Sequence, residues 1–102
     1  MSDFVKIAPL ADFQDGSIRT VEHDGKKLAI ARVGENIHVI ENTCCHRGGP
    51  LGEGTLDGTI VACPLHGWRF DVTTGACLTN PAAKVAGYET KVENDHVFVK
   101  IS

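Results

Sequence analysis

At 102 residues and 10.9 kDa the chain is the size of one domain, and a two-lobed enzyme with an interdomain cleft is not expected. Ten Lys and Arg against thirteen Asp and Glu give a net charge of −3 and a pI near 5.9, which lacks the basic footprint of a nucleic-acid binder. With 42% hydrophobic residues the chain can bury about two thirds of its unfolded surface, while its apolar runs, such as 28–31, fall far short of the ~18 residues a membrane helix requires. The opening ten residues carry Asp3 and Lys6 within a short apolar run and do not resemble a secretory signal, so a cytoplasmic location is expected.

Turn markers recur at intervals of about ten residues between short β-branched segments, the rhythm of an antiparallel all-β domain. In chain order the predicted strands lie near 5–7, 17–21, 28–33, 37–40, 59–62, 68–71, 85–92 and 97–101. A single helical turn is expected near 10–13, since no window carries helical spacing over ten or more positions. The pairs Asp15-Gly16, Asp24-Gly25 and Asp57-Gly58 mark the firmest turns because both residue types tolerate positive φ. Gly34-Glu35-Asn36, Thr74-Gly75 and Glu93-Asn94-Asp95 mark weaker ones.

Two segments break this rhythm. Residues 42–54 read NTCCHRGGPLGEG, with five glycines and prolines among thirteen residues, and 63–67 read CPLHG. Loops this poor in apolar side chains cannot order themselves. The hairpin over 54–62, turning at Asp57-Gly58, should set them side by side. Cys44-x-His46 is followed after sixteen residues by Cys63-x-x-His66, so two thiols and two imidazoles are placed to converge. Three readings fit this donor set: a structural Zn²⁺, a [2Fe–2S] cluster with Cys on one iron and His on the other, or ordinary buried residues. Zinc sites usually group like ligands with two or more residues between them. Here each loop offers one Cys and one His, an arrangement suited to two metal ions.

The pattern Cys44-x-His46 … Cys63-x-x-His66, with Arg47-Gly48-Gly49-Pro50-Leu51 and Gly67-Trp68-x-Phe70-Asp71 around it, resembles Rieske iron–sulfur proteins. The likeness is greatest to the soluble Rieske-type ferredoxins of bacterial ring-hydroxylating dioxygenase systems and spans essentially the whole chain. It implies an antiparallel Rieske-type β-sandwich or barrel over 1–102 with a two-loop cluster-binding subdomain at about 42–82. It further implies one [2Fe–2S] cluster with Cys44 and Cys63 on the inner ferric iron, and His46 and His66 on the outer iron through Nδ1. Asn80-Pro81-Ala82 resembles the proline loop that covers the cluster.

Respiratory Rieske proteins carry an extra disulfide at the positions of Gly49 and Leu65, so that bridge cannot form here. They also place Ser and Tyr where this chain has Trp68 and Phe70, so hydroxyl donors to sulfur are missing and the potential is expected at about −150 mV, the low end of the Rieske range. Cys45 is read as a small thiol between two ligands, Cys77 as a core residue, and His23, His38 and His96 as surface residues. Arg47 and Arg69 are candidates for contact with an acidic partner or for bracing the loops, and Trp68 for packing beneath the second loop. Pro50, Leu51, Pro64, Leu65 and Pro81 should ring the histidines as a modest apolar docking patch.

A cluster whose ligand positions are all filled by protein has no open site for substrate, which makes the chain a carrier and not a catalyst. The resemblance implies electrons received from a flavoprotein NAD(P)H reductase and passed singly to a terminal Rieske non-haem iron oxygenase, by a monomer. The alternative is the small subunit of an NAD(P)H-dependent nitrite reductase, which shares this size and fold.

Overall fold

The computed structural model describes residues 4–23, 25–43, 49–65 and 67–100. Strand β1 covers Phe4–Pro9, and a 3₁₀ turn follows at Leu10–Asp12. Next come β2 (Ser17–His23), β3 (Lys26–Val33) and β4 (Asn36–Glu41), then a second 3₁₀ turn at Leu51–Glu53. Three short strands, β5 (Thr55–Asp57), β6 (Ile60–Ala62) and β7 (Arg69–Asp71), precede β8 (Gly87–Tyr88), β9 (Thr90–Glu93) and β10 (His96–Lys100). All strand pairings are antiparallel, in three sheets ordered β1-β10-β9, β2-β3-β4-β8 and β5-β6-β7.

Strand β3 explains how these sheets stack. Leu28, Ala29, Ile30 and Ala31 are all buried, although successive strand residues point to opposite faces. Leu28 and Ile30 join Phe13, Ile37, Val39, Val97 and Val99 in one core, and Ala29 and Ala31 join Ile40, Leu51, Val61 and Phe70 in another. The sheet containing β3 is therefore covered on both sides, which is why its sequence reads as a continuous apolar run and not as an alternation. The first core is filled from the β1-β10-β9 sheet, and the second from the 3₁₀ turn at Leu51 and the β5-β6-β7 sheet. Only alanines face the second core from β3, and their small side chains let Leu51 and Val61 approach closely.

The one-turn helix stands where expected, because Arg32 fastens it by donating to the Phe13 carbonyl (2.8 Å) while Leu10 N–H donates to the Asp95 carbonyl (2.8 Å). The strand expected over 85–92 is in fact two strands in different sheets. Tyr88 pairs with Val39 of β4, whereas Thr90 pairs with Val99 of β10, so the chain must change partners at Glu89. Thr90 anchors the crossing by donating its hydroxyl to the Ile37 carbonyl (2.8 Å). Strand β5 is the first arm of the hairpin expected over 54–62, three residues long and mostly exposed.

Phe70 is wholly buried and sits between Val61 of β6 and Cys77, with which it forms an isolated bridge. Phe70→Ala should therefore cost about 3–5 kcal/mol of stability, read as a lower denaturant midpoint at unchanged slope.

Candidate metal centre

The hairpin between the two glycine-rich segments forms as the sequence requires. Asp57 pairs with Ile60 around a two-residue turn in which Gly58 takes φ +62°, a conformation that disfavours side chains. Gly54 packs so closely against the Ala62 carbonyl that a methyl group there would collide with backbone. The hairpin thereby fixes the spacing between residue 54, where the first loop ends, and Cys63, where the second begins.

Three bonds pinch the first loop at its base. The Asn42 carbonyl accepts Leu51 N–H (2.7 Å), and its side-chain Oδ1 accepts both Gly52 N–H (2.8 Å) and the Thr20 hydroxyl (2.9 Å). Among the described residues Asn42 is the buried polar one, 4% exposed. A buried amide is tolerated when its polar atoms are paired, and this one joins β2, the end of β4 and the returning loop in a single knot. The thirteen-residue segment is thus closed at its neck before any metal is considered. Sequence reasoning missed this clasp; the available signal was an Asn directly before a ligand-rich loop with a Thr on a predicted strand.

The second loop is closed by Cys63. Its N–H donates to the Trp68 carbonyl (2.7 Å), and its own carbonyl accepts Gly67 N–H (3.0 Å). The thiol is free and 3% exposed. The two loops meet at this sulfur: a methyl group on Gly49 would stand 2.7 Å from Cys63 Sγ and 3.0 Å from Leu65 Cγ. Gly49 is buried, so the absence of a side chain there is what permits the approach. Cys44, His46 and His66 lie outside the described residues, as do Cys45 and Arg47. Among the described residues no group of three metal-binding side chains occurs. The Cys63 thiol fits an iron–sulfur centre: a buried cysteine without a disulfide, at the contact between two loops, suits a soft metal.

The residues around the site divide by depth. Pro64, Pro81 and Leu65 are exposed, Leu65 by 55%, and Pro50 is half-buried. Leu51 departs from the expected apolar rim and is wholly buried, because the 3₁₀ turn carries it into the core against Ala29 and Ala31. Leu78, outside the expected rim, is also exposed, by 49%. Trp68 is half-buried and packs on the second core as expected, and Arg69 is exposed. Cys77 is a core residue, and its sulfur also accepts Asn80 N–H (3.3 Å). His23, His38 and His96 are each half-buried and not fully solvated; His96 Nδ1 lies 2.9 Å from the Asn94 carbonyl.

If Asn42 is the knot of the first loop, Asn42→Ala should cost about 1–3 kcal/mol by leaving Gly52 N–H and the Thr20 hydroxyl without their acceptor. Equilibrium unfolding would measure this, and Asn42→Asp, which keeps the acceptor oxygen, separates lost bonding from lost volume.

Comparison with known proteins places this geometry. The chain matches the model of the Rieske [2Fe-2S] domain over residues 3–92. It is 39% identical to the ferredoxin CarAc of Metapseudomonas resinovorans over 98 residues, covering 94% of this chain and 92% of that one. Among solved structures it is similar to the ferredoxin of carbazole 1,9a-dioxygenase from Nocardioides aromaticivorans IC177, with a TM-score of 0.91 and 28% identity across 97% of this chain and 98% of that one. It is also similar to a chain in the complex of reduced oxygenase and oxidized ferredoxin in carbazole 1,9a-dioxygenase, with a TM-score of 0.87 and 37% identity across 97% and 94% of the two chains. A nitrite reductase small subunit from Mycobacterium tuberculosis shares the fold at 21% identity, with a TM-score of 0.85 over 94% of this chain and 92% of that one. The free buried Cys63 and the near full-length match agree, and the chain belongs to the Rieske [2Fe–2S] domain family, with a cluster of that type as its cofactor.

Proposed function

We propose that the chain is the ferredoxin component of an aromatic ring-hydroxylating dioxygenase system, taking electrons from a flavoprotein NAD(P)H reductase and delivering them to a terminal Rieske non-haem iron oxygenase. The observation that carries this reading is the match, along nearly the whole of both chains, to a ferredoxin. Similarity at 37% identity to a chain from an oxygenase–ferredoxin complex supports the oxygenase as partner. The nitrite reductase alternative has fold likeness alone behind it.

In this reading Cys44 and Cys63 hold one iron, His46 and His66 hold the other, and residues 42–82 act as the cluster-binding subdomain of a single domain over 1–102. The cluster accepts and returns one electron. The chain's own work is to hold its two loops in register. Asn42 closes the first, the Cys63–Trp68 bond closes the second, and Gly49 lets them touch. The exposed Leu65, Pro64 and Pro81 supply a small apolar face, and the exposed Arg69 a positive charge, for a contact that must form and break at every electron. The protein works as a cytoplasmic monomer. No helix among the described residues is long and apolar enough to cross a membrane.

Reconstitution tests this directly. With a flavoprotein reductase and a Rieske oxygenase held constant, NAD(P)H-driven reduction of the oxygenase should rise in proportion to added chain, and failure to accelerate any such pair would refute the assignment. The reduction potential should lie toward about −150 mV because Phe70 and Trp68 bring no hydroxyl to the sulfurs. A redox titration reads it, and a strongly positive value would contradict the reading. Gly49→Ala, which drives a methyl into Cys63 Sγ, should leave the purified protein with only a minor share of the wild-type iron while the β core still folds.

A further inference from the structure

The segment after β7 extends the β5-β6-β7 sheet by one improvised rung. Asp71 N–H donates to the Ala76 carbonyl (2.9 Å) and Leu78 N–H to the Arg69 carbonyl (2.7 Å), as in an antiparallel ladder. The next rung should run from Arg69 N–H to a backbone carbonyl. Instead it ends on a side chain, because Arg69 N–H donates to Thr79 Oγ1 at 3.0 Å. Past this point the chain leaves the sheet as the 80–83 loop.

That loop is internally stiff. Asn80 N–H donates to Cys77 Sγ (3.3 Å), Ala82 N–H to Asn80 Oδ1 (3.1 Å), Ala83 N–H to the Asn80 carbonyl (2.9 Å) and Cys77 N–H to the Ala83 carbonyl (3.2 Å). The Leu78 and Thr79 bonds to Arg69 attach the loop to β7. On the other edge of β7, the residue before Arg69 gives its carbonyl to Cys63 N–H (2.7 Å). The backbone of residues 68–69 therefore lies between the Thr79 hydroxyl and the buried thiol.

We propose that Thr79 is a positioning residue for the metal centre: its hydroxyl, accepting Arg69 N–H, docks the 80–83 loop onto β7 and fixes the Trp68 carbonyl that orients Cys63. This inference rests on the reading of Cys63 as a ligand. Without the hydroxyl, Arg69 N–H turns to water, and the Leu78 bond is left to hold the loop at the start of β7. Reduction adds one negative charge to the centre, and entering water favours the more charged form, so loosening should raise the potential.

The test compares Thr79→Val, which matches the shape without the acceptor, with Thr79→Ser, which keeps it. Thr79→Val should raise the reduction potential beyond titration error and speed exchange of the Arg69 amide on the order of tenfold, the loss of one hydrogen bond. Thr79→Ser should restore both. Equal potentials and equal exchange in Thr79→Val and the native protein would overturn the proposal. So would an Arg69 amide in the native holoprotein that exchanges as fast as open-loop amides, a measurement independent of any variant. Loss of the ligand reading itself looks different: the native protein would show no histidine-ligated iron by paramagnetic resonance.

Discussion

The approach of Gly49 to Cys63 Sγ is the contact on which the centre depends, because it is where two loops with almost no apolar content are brought together. Apart from Leu51, which the 3₁₀ turn buries in the second core, neither buries a large apolar side chain of its own among the described residues. Order is imported from the frame instead. Asn42 ties the neck of the first loop to β2, the β5–β6 hairpin fixes the distance to the second, and the second closes on itself through Cys63 and Trp68. With these ends fixed, a side chain at residue 49 would be the obstacle to contact, and glycine removes it. The frame is in turn stiff because its middle sheet is packed on both faces, so displacing the loop necks would disturb two cores at once.

Function follows from how the centre is enclosed. The sulfur of Cys63 is buried, whereas Pro64 and Leu65, the next two residues, are exposed. Within two residues the chain passes from a buried sulfur to the surface, so a centre built at this point lies close to a docked partner. Phe70 meanwhile commits its ring to the core and brings no hydroxyl. A carrier that hands electrons to an oxygenase benefits from such a close-to-surface arrangement, and the exposed apolar area is modest enough for a partner to dissociate afterwards.

Much of this was legible in the sequence because the chemistry is carried by residue type and spacing. The turns at Gly16, Gly25, Gly58 and Asn94-Asp95, the strands β2, β3, β4 and β10 and the hairpin between the loops could be read from local pattern alone, while Asp24 lies outside the described residues. What escaped depended on long-range partners. The segment 85–92 reads as one strand because its β-propensity is continuous, and only the separate claims of β4 and β10 divide it at Glu89. Leu51 reads as a rim residue from its place beside the ligand motif, yet two alanines on β3, some twenty residues earlier, open the space that buries it. Asn42 and Thr79 look like ordinary loop residues until their acceptor oxygens are seen to complete hydrogen bonds from elements ten or more residues away.

The central claim is that two histidines and two cysteines of this chain share one pair of iron atoms. Pulsed electron paramagnetic resonance of the dithionite-reduced protein, grown with ¹⁵N-labelled histidine, tests it most directly. Couplings are expected from two histidine nitrogens on the reduced iron, lost one at a time in His46→Ala and His66→Ala. A paramagnetic cluster without histidine nitrogen coupling, or a colourless protein carrying stoichiometric zinc, would contradict it.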